Sequence, residues 1–171
     1  GHGFVLDQQT KTAATALLLN LHAQDADAAT ASAPQGGSKP NIIYILADDM
    51  GIGDVSCLNT NSAWKTPHID ALARGGRIFS DAHSASGVCS PSRYTLLTGR
   101  YSWRGKLKSS VLHGYDPSLL ETGRVTVASF LKSQGYSTAM VGKWHLGVNW
   151  VRNGEKVDAV DFGQPFRGGP I

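Results

Sequence analysis

Residues 88–101 read Val-Cys-Ser-Pro-Ser-Arg-Tyr-Thr-Leu-Leu-Thr-Gly-Arg-Tyr and place a thiol, Cys89, just ahead of a guanidinium, Arg93. The pattern predicts a short helix in which Ser90 caps the start, Pro91 suits the first turn and Gly99 suits the end. Cys89 then lies where unpaired backbone N–H groups and the positive end of the helix dipole converge. Such a place holds an anion or stabilises negative charge on a nucleophile. Arg93, in the same first turn, can fold back over it. The chemistry this suggests is an oxyanion site with a reactive side chain at its centre. A buried or disulfide-bonded cysteine beside an ordinary capped helix is the plain alternative, and Cys57 is an available partner.

Two further words carry chemistry. Residues 41–54, Asn-Ile-Ile-Tyr-Ile-Leu-Ala-Asp-Asp-Met-Gly-Ile-Gly-Asp, open on an apolar, β-branched run and then present two adjacent carboxylates, Asp48 and Asp49. Side chains alternate faces along a strand, so these two converge only if the chain is leaving it, which Gly51 and Gly53 permit. Adjacent carboxylates repel unless a hard cation such as Ca²⁺ or Mg²⁺ lies between them; a solvated Asp-Asp turn is the other reading. Residues 135–147, Gly-Tyr-Ser-Thr-Ala-Met-Val-Gly-Lys-Trp-His-Leu-Gly, set Lys143 and His145 two apart. On extended chain they share a face, with Trp144 pointing away. A cation beside an imidazole suits a tetrahedral dianion, and histidine moves protons near neutral pH.

Taken together, these words resemble the sulfatase family. Its first motif reads C-x-P-S-R and closes on L-T-G-R, as residues 89–100 do; its opening P-N-I-(apolar)-D-D-x-G-x-G-D matches residues 40–54, and its second motif matches G-K-W-H-L-G. The resemblance implies that Cys89 is converted to formylglycine, with C-S-P-S-R recognised by a formylglycine-generating or sulfatase-maturating enzyme. It implies that Asp48 and Asp49 are ligands of Ca²⁺ (or Mg²⁺), which residue 89 also meets. Arg93 and Lys143 would hold the sulfate, and His145 the formylglycine hydroxyl. Asp54 matches the pattern as structural support. The implied activity is hydrolysis of a sulfate monoester, on a small molecule or a sulfated glycan. One hydroxyl of the hydrated aldehyde attacks sulfur, and the second lets the covalent sulfate collapse to aldehyde and free sulfate. A phosphatase or phosphodiesterase of the same fold generally carries Ser or Thr as nucleophile, against which Cys89 argues; a non-catalytic remnant is the other alternative.

The elements that must position these residues read as α/β. Strands are expected at the start of residues 41–54, at 77–83 and at 137–141; helices are expected over 66–75 and 125–134. Residues 101–124, with Trp103, Arg104, Lys106 and Lys108, read as an exposed loop. Cys57 reads as a small packing residue, and His68, His83 and His113 as loop or surface positions. The resemblance implies a partial alkaline-phosphatase-like three-layer sandwich with a mainly parallel sheet, truncated because the family's remaining metal ligands follow the second motif at a distance.

Residues 1–38 read as a leader and linker, and 39–171 as the amino-terminal part of a catalytic domain. The run Ala-Ala-Thr-Ala-Leu-Leu-Leu-Asn-Leu at 13–21 suits a signal-peptide core or a frayed amphipathic helix. A periplasmic or secreted location is expected, with the cytoplasm left open. Sixteen basic against thirteen acidic residues, a net charge of +3, is too even to imply nucleic-acid binding. No apolar run approaches membrane-spanning length.

Overall fold

A computed structural model of the chain describes the backbone of residues 17–20, together with residues 39–156 and 158–164. The rest of the expected leader and linker lies outside the described residues. The chain divides into two compact units, residues 1–84 and 85–171.

In the first unit, strand β1 (Leu17–Asn20) pairs antiparallel with β2 (Ile42–Ile45), with Leu17 opposite Ile45 and Asn20 opposite Ile42. The apolar run therefore forms a strand, as its β-branched residues favour. It is neither parallel nor buried: Ile42, Ile43 and Ile45 are exposed. Propensity selects extended backbone, but it does not encode the direction of the partner. Residues 77–83 form no strand either, and Ile78 and Phe79 are exposed.

Helix α1 (Pro67–Gly75) falls where the Thr-Pro start and glycine stop predict it. Its first turn is secured in an unexpected way. Thr66 makes no side-chain cap bond; its hydroxyl instead donates to Asp70 at 2.8 Å. The Ser56 hydroxyl donates to the same carboxylate at 2.7 Å, and the Cys57 N–H donates to it at 3.1 Å. These bonds, led by the one from Ser56, hold the Asp70 carboxyl below the usual range. Cys57 itself is exposed and does not pack.

The second unit contains α2 (Cys89–Thr98) and α3 (Val127–Ser133), which pack against each other. Tyr94, Leu119 and Leu146 form its buried centre, with Leu97, Leu107, Leu112, Leu120 and Trp144 packed around them. The stretch 101–124 is thus not simply an exposed loop. It is irregular apart from a short 3₁₀ turn, Ser102–Arg104, yet its leucines build much of this core. Its basic cluster does face outward: Trp103 is exposed, and the Arg104 guanidinium lies 4.9 Å over its ring. Thr126 caps α3 by accepting from the Ser129 N–H, a reciprocal box that fixes the helix start. Residues 137–141 form no strand, and Val141 is almost fully exposed. Among the described residues, then, the expected mainly parallel sheet is represented by two antiparallel strands. No described helix is long and apolar enough to cross a membrane.

Candidate active site

Helix α2 begins at Cys89 itself, with Val88 as an extended N-cap and no side chain capping the turn. Ser90 is therefore not the cap that the sequence suggests. Its side chain is fully buried, and its hydroxyl donates to the backbone carbonyl of His145 at 2.9 Å. Gly99 ends the helix in the left-handed conformation, φ 65°, as its place after the apolar run predicts. Cys89 is half-buried, and neither it nor Cys57 is in a disulfide.

One turn along α2, a terminal nitrogen of Arg93 donates to the Lys143 carbonyl at 2.6 Å. The helix carrying the thiol is thus joined twice to the Gly-Lys-Trp-His-Leu-Gly word, across 50 and 55 residues of chain. That word is a tight turn, not a strand end. Gly142, His145 and Gly147 take φ values of 110°, 52° and 71°. A Cβ on Gly147 would fall 2.1 Å from the Pro117 carbonyl oxygen, so only glycine fits. The turn is held by the Leu119 N–H donating to the Leu146 carbonyl at 2.8 Å and the Val148 N–H donating to Asp116 at 3.1 Å.

Lys143 and His145 do end up lining one surface, an open depression of about 320 Å³, but Trp144 lines it too. The alternation expected of extended chain is lost in the turn. His113, to which the sequence assigned only a surface position, borders the same depression with Gly114 and Val148. His145 is partly buried, and its Nε2 lies 2.8 Å from the Leu112 carbonyl oxygen. Its Nδ1 is buried and has no hydrogen-bond partner among the described residues.

Asp48 and Asp49 belong to the first unit, in a bend after β2, and both are exposed. Asp49 turns the chain itself, at φ 57°, where the following glycines were expected to do so. Asp54 closes the next turn by accepting from the Gly51 N–H at 2.8 Å. Two carboxylates are the right donor type for a hard cation, but Ca²⁺ takes about six to eight oxygens. No group of three or more His, Cys, Asp or Glu residues among those described is arranged to hold a metal ion.

Two hydrogen bonds join a cysteine-headed helix to a lysine–histidine turn, and comparison with known proteins fixes the family. The Sulfatase family model matches residues 40–170. An N-acetylgalactosamine-6-O-sulfatase from Bacteroides thetaiotaomicron is 48% identical over 114 residues, covering 67% of this chain and 22% of the relative. The human steryl-sulfatase is 45% identical over 117 residues (66% and 20%), and human arylsulfatase A 46% over 109 (64% and 21%). No solved structure matches the chain. The chain belongs to the sulfatase family. The family implies an α/β fold of the alkaline-phosphatase type, and the chain spans about a fifth of the length of the curated relatives it matches.

Proposed function

We propose that this chain carries the nucleophile and part of the sulfate-holding apparatus of a sulfuric ester hydrolase acting on a sulfate monoester. One observation carries the reading: Ser90 and Arg93, both inside the C-S-P-S-R word, bond the backbones of His145 and Lys143. Two words that resemble the family's motifs are thereby brought together by side chains of the first.

In this reading Cys89 is oxidised to formylglycine, recognised through C-S-P-S-R by a formylglycine-generating or sulfatase-maturating enzyme. The hydrated aldehyde supplies a geminal diol, of which one hydroxyl attacks sulfur while the other later lets the ester collapse. The fit is supported by the buried lone pair on His145, which a new hydroxyl donor would satisfy. Lys143 supplies positive charge to the sulfuryl oxygens, and Arg93 adds to that field while holding the Lys143 backbone. His145 accepts a proton at Nδ1.

Asp48 and Asp49 are the proposed ligands of Ca²⁺ or Mg²⁺ and supply part of its oxygen shell. A divalent cation brings charge withdrawal to ester cleavage. The substrate is a sulfated small molecule or glycan, and the expected location is periplasmic or secreted. Phosphoryl transfer is the weaker alternative, because residue 89 is Cys and not Ser or Thr.

The test is release of sulfate from an aryl sulfate by the longest form the reading frame encodes, co-expressed with a formylglycine-generating enzyme. Turnover above that of a Cys89→Ala control is expected. Turnover equal to the control, or a preference for phosphate esters, would overturn the reading.

A further inference from the structure

Ser90 belongs to the first word and bonds to the second, and no step of the proposed chemistry uses it. Its hydroxyl is fully buried and has both hydrogen-bonding roles filled. It donates to the His145 carbonyl at 2.9 Å and accepts from the Leu112 N–H at 3.2 Å. The Leu112 carbonyl in turn faces Nε2 of the His145 ring at 2.8 Å. The three residues close a ring of hydrogen bonds that runs from hydroxyl to histidine backbone, along the histidine to its imidazole, into the Leu112 peptide and back to the hydroxyl.

This ring has a chemical consequence. A peptide carbonyl only accepts hydrogen bonds, so Nε2 must carry the proton. In the neutral imidazole, Nδ1 is then left as the acceptor, and Nδ1 is the buried atom with no partner among the described residues. The backbone of His145 is held at φ 52°, in the left-handed region that is uncommon for residues other than glycine. Ser90 grips the carbonyl of that residue and the N–H of the residue that sets its tautomer. We infer that Ser90 is a positioning residue: with the Leu112 peptide it fixes His145 as the Nε2–H tautomer and presents Nδ1 as a hydrogen-bond acceptor.

The inference rests on the proposed sulfatase reading for its catalytic meaning, but the tautomer is measurable without any turnover. In protein labelled with ¹⁵N-histidine, the His145 ring is assigned by its loss in His145→Gln. The wild-type spectrum should show a protonated Nε2 and an unprotonated Nδ1 at neutral pH. A proton on Nδ1 would overturn the inference, whatever the variants do. In Ser90→Ala the ring should become a mixture of tautomers, and the Leu112 amide should exchange faster. In the longest form the reading frame encodes, with modification of residue 89 verified by mass spectrometry, the same variant should lose about tenfold in kcat with KM changed less than about twofold. An unchanged His145 spectrum in folded Ser90→Ala would remove Ser90 from the device. A correct tautomer together with an unmodified Cys89 would leave the positioning intact and sink the sulfatase reading alone.

Discussion

At the scale of single residues, this chain shows how one position can carry two readings. Cys89, Arg93, Lys143 and His145 are read from type and spacing; in the structure Arg93 donates to the Lys143 carbonyl, and Lys143 and His145 line one depression. Ser90 was read as a helix cap, because serine before an apolar run usually is one. The bonds that redirect it run to residues 22 and 55 positions away, and no local pattern encodes them. The ring predicts a cost: Ser90→Ala leaves the part-buried Leu112 N–H and His145 carbonyl without their partner, and should destabilise the chain by about 1–3 kcal/mol in urea titration. Gly147 is more demanding. Gly147→Ala drives a methyl into the Pro117 carbonyl and imposes a left-handed φ on a residue with a side chain, for an expected loss of about 2–4 kcal/mol. A measured loss below about 1 kcal/mol would mean that residues 116–118 yield easily.

Among the elements, helices were legible and strands were not. Helices α1 and α3 lie within the expected spans 66–75 and 125–134, and α2 ends at the expected glycine; these signals act within a few residues, as does the Thr126–Ser129 box that the structure adds. Of the three expected strands, only the first formed, and with an antiparallel partner. A short apolar run needs a neighbour to become a strand, and the identity of that neighbour is not written in the run itself. Helix α2 is anchored by a polar cluster invisible to pattern reading. The Tyr94 hydroxyl donates to both oxygens of Glu121, at 3.0 and 2.9 Å, and Arg124 donates to Glu121 at 3.2 Å. Burial pushes the Glu121 carboxyl up, yet bonds from its own backbone N–H, from Tyr94 and from Arg124 outweigh it, and the group sits below its ordinary 4.5. Because the folded value is the lower one, this stabilisation is present above about pH 4.5 and fades as pH falls through the folded value. Urea midpoints should therefore hold steady from neutral pH to about 5 and decline below it. Glu121→Gln should flatten that decline while costing about 1–3 kcal/mol at pH 7. An acid limb unchanged by the substitution would assign the sensitivity to other carboxylates.

For the whole molecule, the 171-residue chain spans about a fifth of the length of the curated relatives it matches. Asp48 and Asp49 should bind Ca²⁺ only weakly, with a Kd well above the micromolar range, since most of the oxygen shell must come from elsewhere. Submicromolar binding by calorimetry, lost in Asp49→Asn, would show that this chain completes the shell. Turnover of an aryl sulfate by the 171-residue chain should likewise stay close to that of its Cys89→Ala control, because misplacement by an ångström costs orders of magnitude. The central claim, that residue 89 is the nucleophile in its oxidised form, does not depend on turnover and is tested most directly by peptide mass spectrometry. After co-expression with a formylglycine-generating enzyme, the peptide containing residues 89–93 should lose the thiol and gain an aldehyde that forms a hydrazone with a hydrazine reagent. A peptide that keeps an alkylatable Cys89 thiol under those conditions, while a control C-x-P-x-R substrate is converted, would contradict the account.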